Sequence, residues 1–63
     1  MSDFKTRLVE EQAQLEEKIS KIDDFIMSKK ADEIDPVQKS LLIIQADAMS
    51  TYNEILKARI ELL

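Results

Sequence analysis

The sequence predicts an all-α fold, an antiparallel two-helix hairpin that assembles into a homo-oligomeric helical bundle. Three observations predict it. The 63 residues include no glycine and a single proline, Pro36, so the chain has one natural place to break. On either side of that break, apolar residues recur at alternating spacings of three and four, the mark of a helix with one buried face. The second helix carries an apolar band wider than one partner helix can cover, which points to further copies of the chain.

The first helix is expected over about residues 3–28. Leu8, Leu15 and Ile22 are seven apart, with Ile19 and Ile26 between and beyond them, which makes a coiled-coil-like seam. Gln12 holds the seam position seven before Ile19 and interrupts the apolar pattern in the first half, and Phe25 flanks the far end. A polar turn over about 29–35, within "SKKADEID", ends this helix.

The second helix is expected over about 36–62. Asp35 as an acidic N-cap, Pro36 at the first helical position and Gln38 at the third form a strong start signal. Lys57 and Arg59 come late, where cations suit the helix dipole. Two helices of about 25 residues, each roughly 37 Å long, fold back on one another as one hairpin domain over 1–63.

At 100° per residue, Leu41, Leu42, Ile44, Ala48, Met49, Ile55, Leu56, Ile60, Leu62 and Leu63 form a band about 160° wide. Burying it takes more than one neighbouring helix. Self-association follows, with a trimer or a larger closed assembly expected ahead of a monomer. Gln45, Tyr52 and Arg59 run down the middle of the band at intervals of seven. As structural residues they would be buried polar groups that fix register and oligomeric state. As functional residues they would border a cavity between subunits, with Arg59 offering a fork of donors to a phosphate and Met49, Ala46 or Ala48 lining the walls.

Composition excludes several function classes. With no His and no Cys, structural zinc, disulfides and Ser–His or Cys–His catalysis all lack their residues, and no glycine-rich phosphate loop exists. No catalytic residue, metal ligand or cofactor is therefore expected, and the chain reads as a non-enzyme. The net charge of −4 argues against binding DNA or RNA polymers. The start "MSDFKTR" lacks an apolar run behind a basic segment, and no stretch approaches the roughly 20 apolar residues of a membrane span. A cytoplasmic protein is the expectation.

One cluster remains. Arg7 and Lys18 project about 20° apart on the first helix and Phe4 about 40° beyond Lys18, all bordering the apolar seam. An aromatic ring can stack on a nucleobase while nearby cations neutralise phosphates. The bland alternative is a solvated charged face with a first-turn Phe stapling the helix end. Phe4 and Lys18 stand about 21 Å apart along one helix, so a small ligand touches both only if they come from different subunits. Glu11 shares the face and repels phosphate.

The succession "FKTRLVEEQAQLEEKISKIDDFI", a polar turn, then "LLIIQADAMSTYNEILKARIEL" resembles the small phage family of anti-CBASS sponges over residues 4–62. The carrying marks are aromatic-x-x-Arg-hydrophobic near the start, "DFI" closing the first helix, and Gln, Met-x-x-Tyr-x-x-Ile-Leu and Arg-Ile in the second. The resemblance implies a compact helical homohexamer that binds cyclic oligonucleotide second messengers of bacterial anti-phage systems and catalyses nothing. It implies a cyclic-dinucleotide site between protomers at Phe4, Arg7, Lys18 and Ser20, where the family tends to place Tyr at the position of Phe4. It also implies a possible second site, for cyclic trinucleotides, at Ala46 and Met49, to which Arg59 is added on physical grounds. Ser20 projects about 160° from Lys18, so it acts from another protomer or not at all. The competing expectation is a structural or adaptor oligomer that docks a partner helix and takes no small ligand.

Overall fold

The computed structural model describes residues 2–63, with side chains from Asp3 onward. Helix α1 spans Ser2–Ile26, a short 3-10 turn spans Lys29–Glu33, and helix α2 spans Pro36–Glu61. Among the described residues there is no strand. The two helices lie against each other along their lengths in a hairpin of 47 × 14 × 12 Å.

The seam is a heptad pattern on both sides. Leu8, Gln12, Leu15, Ile19, Ile22 and Ile26 are buried or half-buried on α1 at spacings of four and three, with half-buried Phe25 beside them. Their counterparts on α2 are Lys39, Leu42, Ala46, Met49, Asn53, Leu56 and Ile60, at spacings of three and four. Leu8, Leu15 and Leu56 form the core, with Ile19, Met49 and Ile60 packed against it. Each fully buried leucine contributes about 1.5–3 kcal/mol, so this thin core rests on very few side chains.

Helix ends follow from local chemistry. Asp35 Oδ1 accepts the Val37 N–H at 2.7 Å, and Pro36 supplies the first helical φ without needing a donor. Helix α1 ends at Ile26, a little short of the expected 28. No glycine is available to take the left-handed position that closes many helices, and no described residue has positive φ. The chain leaves instead by tighter turns: Ser28 donates its N–H at 3.0 Å and its Oγ–H at 2.6 Å to the Phe25 carbonyl, and the Ala31 N–H reaches the Ser28 carbonyl at 3.3 Å.

The connection is more ordered than the polar turn expected there. Ala31 is fully buried in the 3-10 turn, which packs against both helices. Lys39, half-buried on the seam, sends its Nζ to Asp32 Oδ1 at 2.9 Å and ties the turn to α2. The polar letters of "SKKADEID" conceal one apolar contact that closes the end of the hairpin.

Candidate functional site

The wide apolar band of α2 is divided by the fold. Its Leu42, Met49, Leu56 and Ile60 edge turns into the seam, while Leu41, Ile44, Ile55 and Leu62 remain exposed. The polar line Gln45, Tyr52 and Arg59 marks the divide and is exposed throughout. In the single chain, therefore, these three are not the buried residues that set register. The polar pair inside the seam is instead Gln12 and Asn53. Gln12 Nε2 donates to Asn53 Oδ1 at 3.1 Å across the seam, and Asn53 is only 6% exposed.

A carboxylate gathers around this pair. Glu16 Oε1 accepts from Gln12 at 3.4 Å and from Asn53 Nδ2 at 3.5 Å, and it lies 3.2 Å from Lys57 Nζ. Lys57 also stands 3.8 Å from Glu54. The Lys57 hydrogen bond, then that from Asn53 and the Lys57 charge, hold the Glu16 carboxyl below its ordinary range. Glu16 in turn raises the Lys57 ammonium, by hydrogen bond and by charge. Sequence reasoning placed Gln12 on the seam but missed Asn53, whose signal was its place seven residues after Ala46 and four before Lys57.

The two flanks of the hairpin differ in charge. Glu16, Ile19, Ser20, Asp23 and Asp24 of α1 and Ser50, Asn53 and Glu54 of α2 line one open groove of about 400 Å³. Ser20 and Ser50 thus lie on the same side of the seam, among four carboxylates. At 100° per residue, Phe4, Arg7, Glu11 and Lys18 fall on the other side of the α1 seam, and Gln45, Tyr52 and Arg59 on the matching side of α2. Arg7, Lys18 and Arg59 therefore share a flank with Phe4, Phe25, Tyr52 and one carboxylate, Glu11, turned away from the acidic groove.

The expected site residues separate accordingly. Phe4 is 55% exposed, and Arg7 and Lys18 are exposed on the same flank of α1. Arg7 Nη2 bonds Asp3 Oδ2 at 2.9 Å, whereas Lys18 makes no ion pair among the described residues. Ser20 is on the opposite flank in a field that repels phosphate, so within one chain it does not join the other three. Ala46 is buried between the helices at 6% exposure and presents no wall at the surface of the hairpin. Met49 is half-buried against the core, with Gln45 Nε2 3.9 Å from its sulfur, and Arg59 is exposed. Of the second set, only Arg59 stands open to a ligand.

Comparison with known families decides the grouping. The Sequestin family model matches residues 2–62, spanning both helices and the turn between them. The chain belongs to the Sequestin family. That family name points to a sequestering role. No curated protein and no solved structure matches the chain. Among the described residues, no helix is long and apolar enough to cross a membrane. Nor do any three of the described carboxylates come together as ligands for a metal ion.

Proposed function

We propose that this protein sequesters cyclic oligonucleotide second messengers, cyclic dinucleotides first, and so blunts CBASS-type anti-phage signalling in a bacterial host. It acts by stoichiometric binding in the host cytoplasm and catalyses no reaction. The observation that carries this reading is the exposed flank of Phe4, Arg7 and Lys18, set apart from every carboxylate of the acidic groove. Membership in a family named for sequestration supports it, and so does the resemblance to the phage anti-CBASS sponges.

The binding unit is the seam between copies. One helix separates Phe4 from Lys18 by about 21 Å, so a compact ligand meets the ring of one protomer and the lysine of another. Arg7 exchanges its exposed Asp3 partner for phosphate, a trade that costs about 1 kcal/mol or less. Several charge-assisted contacts of about 1.5–3 kcal/mol each suffice for tight binding in a preformed site. The homo-oligomer, a hexamer ahead of a trimer, supplies the second wall, and Arg59 is the residue best exposed for a further trinucleotide site.

Calorimetry and thermal shift with a panel of cyclic di- and trinucleotides test the proposal. A ligand at one hundred times its Kd stabilises the folded protein by about 2.7 kcal/mol. Arg7→Ala and Lys18→Ala each remove most of that gain, while Ser20→Ala on the acidic flank removes little. If the assembled protein melts at the same temperature with every member of the panel, the sponge reading is lost. The second reading, an adaptor that docks a partner helix and takes no small ligand, is favoured by the exposed apolar residues of α2 and would then stand.

A further inference from the structure

The outer stripe of α2 has a symmetry of its own. Val37, Leu41, Ile44 and Ala48 lead into Tyr52, Ile55, Arg59 and Leu62, all exposed and about 130° round the helix from the hairpin seam. The stripe has nearly the same spacing from either end. Val37 pairs with Leu62 and Ile44 with Ile55 about one midpoint, and Leu41 pairs with Arg59 and Ala48 with Tyr52 about a point half a residue away. We infer that this stripe is an isologous dimer interface, in which α2 of one copy lies antiparallel to α2 of a second copy about a two-fold axis beside residues 49–50. The inference rests on the self-association proposed above and names the surface responsible.

Area, size and charge agree on a second copy as the occupant. The chain exposes 5041 Å², whereas a compact monomer of its mass exposes about 4,200 Å². The difference of about 800 Å² matches one partner's share of a standard interface. The radius of gyration is 14.5 Å, against about 11 Å for a compact domain of this length. Near the proposed axis the smallest stripe residue, Ala48, meets the largest, Tyr52, and this happens twice, so the backbones approach without a clash. A parallel pairing would set Arg59 beside its own copy. The antiparallel one sends the two guanidinium groups to opposite ends, each with its aliphatic stem on Leu41 and its charge in water.

The absence of native cysteine makes a direct test possible. Two chains are prepared, one with Ile44→Cys and one with Ile55→Cys, both exposed positions whose folding is checked by circular dichroism. They are mixed under mild oxidation, and mass is measured on the unmodified protein without ligand. A disulfide joining the two different chains, with little of either homodimer, is the expected result. Position 44 lies about 16 Å along the axis from its own copy in the antiparallel arrangement, beyond disulfide reach. Ile55→Asp should weaken the dimer about a hundredfold or more while leaving helicity intact. Homodimeric disulfides at 44 and 55 would mean parallel helices and overturn the inference. An assembly with no disulfide at either position would overturn this interface alone and leave assembly through another face. A monomer at micromolar concentration would overturn self-association itself. Cyclic-nucleotide titration of the same samples reads the ligand proposal separately.

Discussion

Helices α1 and α2 are almost equal in length, 25 and 26 residues, yet they stand in different relations to their surroundings. Helix α1 has one apolar stripe, and α2 covers it; apart from Phe4 and Val9, its large apolar side chains are buried or half-buried. Helix α2 has two stripes, and α1 covers only one. Val37, Leu41, Ile44 and Ile55 of the other are each more than half exposed. The hairpin is therefore complete as seen from α1 and unfinished as seen from α2. The width of an amphipathic helix's apolar sector sets how many neighbours could cover it, and the sector of α2 is wider than α1 covers.

The sharpest test of this contrast uses adjacent residues on α2. Leu56 is fully buried and Ile55 is 55% exposed. Leu56→Ala should cost about 2–5 kcal/mol, a large part of the roughly 3–9 kcal/mol that a chain of this length has in total. Ile55→Ser should leave the hairpin's own stability nearly unchanged and act on association. Thermal melts over a range of protein concentrations separate the two: the first lowers Tm at every concentration, the second removes the concentration dependence. Equal effects of the two substitutions would break the distinction between stripes.

A smaller effect should come from the polar pair in the seam. Asn53→Ala leaves Gln12 without its partner in a half-buried site and should cost about 1–3 kcal/mol in denaturant titration. Replacing both, Gln12→Leu with Asn53→Leu, should recover that stability or exceed the native value, because apolar packing outdoes a buried polar pair. The double variant should lose uniqueness of register instead, visible as broadened amide resonances. Next in size is the cap: Asp35→Ala should cost about 1 kcal/mol by losing the bond to Val37 N–H.

The smallest effect is electrostatic. Because Glu16 has a lowered value in the folded chain, its contribution is present above its ordinary value of 4.5 and is lost as pH falls through the lowered one. Lys57 is raised, so its contribution is present below its ordinary value of 10.5 and is lost as pH rises through the raised one. Glu16→Gln should flatten the acid side of the stability–pH curve, and Lys57→Met the alkaline side. Both groups face water, so added salt should shrink both effects.

Some of this molecule was legible before any coordinates. The break at Pro36, the Asp35 cap, the α1 seam and even the odd place of Gln12 follow from spacing along one helix at a time. The 3-10 turn was not legible, because its one buried contact, Ala31, sits in a run of charged letters without period. The candidate site was legible in part. Phe4, Arg7 and Lys18 share a flank, as the 100° step requires, but Ser20 falls in the acidic groove and Ala46 inside the seam.

By itself the sequence determined two helices, where they start, and that α2 has more apolar surface than one neighbour covers. These depend on local backbone geometry and on side chains a few residues apart. Only the tertiary structure decided which half of the α2 band turns inward, that Asn53 meets Gln12, and that the groove carboxylates lie on the flank opposite Arg7, Lys18 and Arg59. Those outcomes depend on the rotation of each helix about its own axis against the other. No single helix encodes that angle. It is set jointly, by leucines that must pack and by polar groups that must find partners in the same seam.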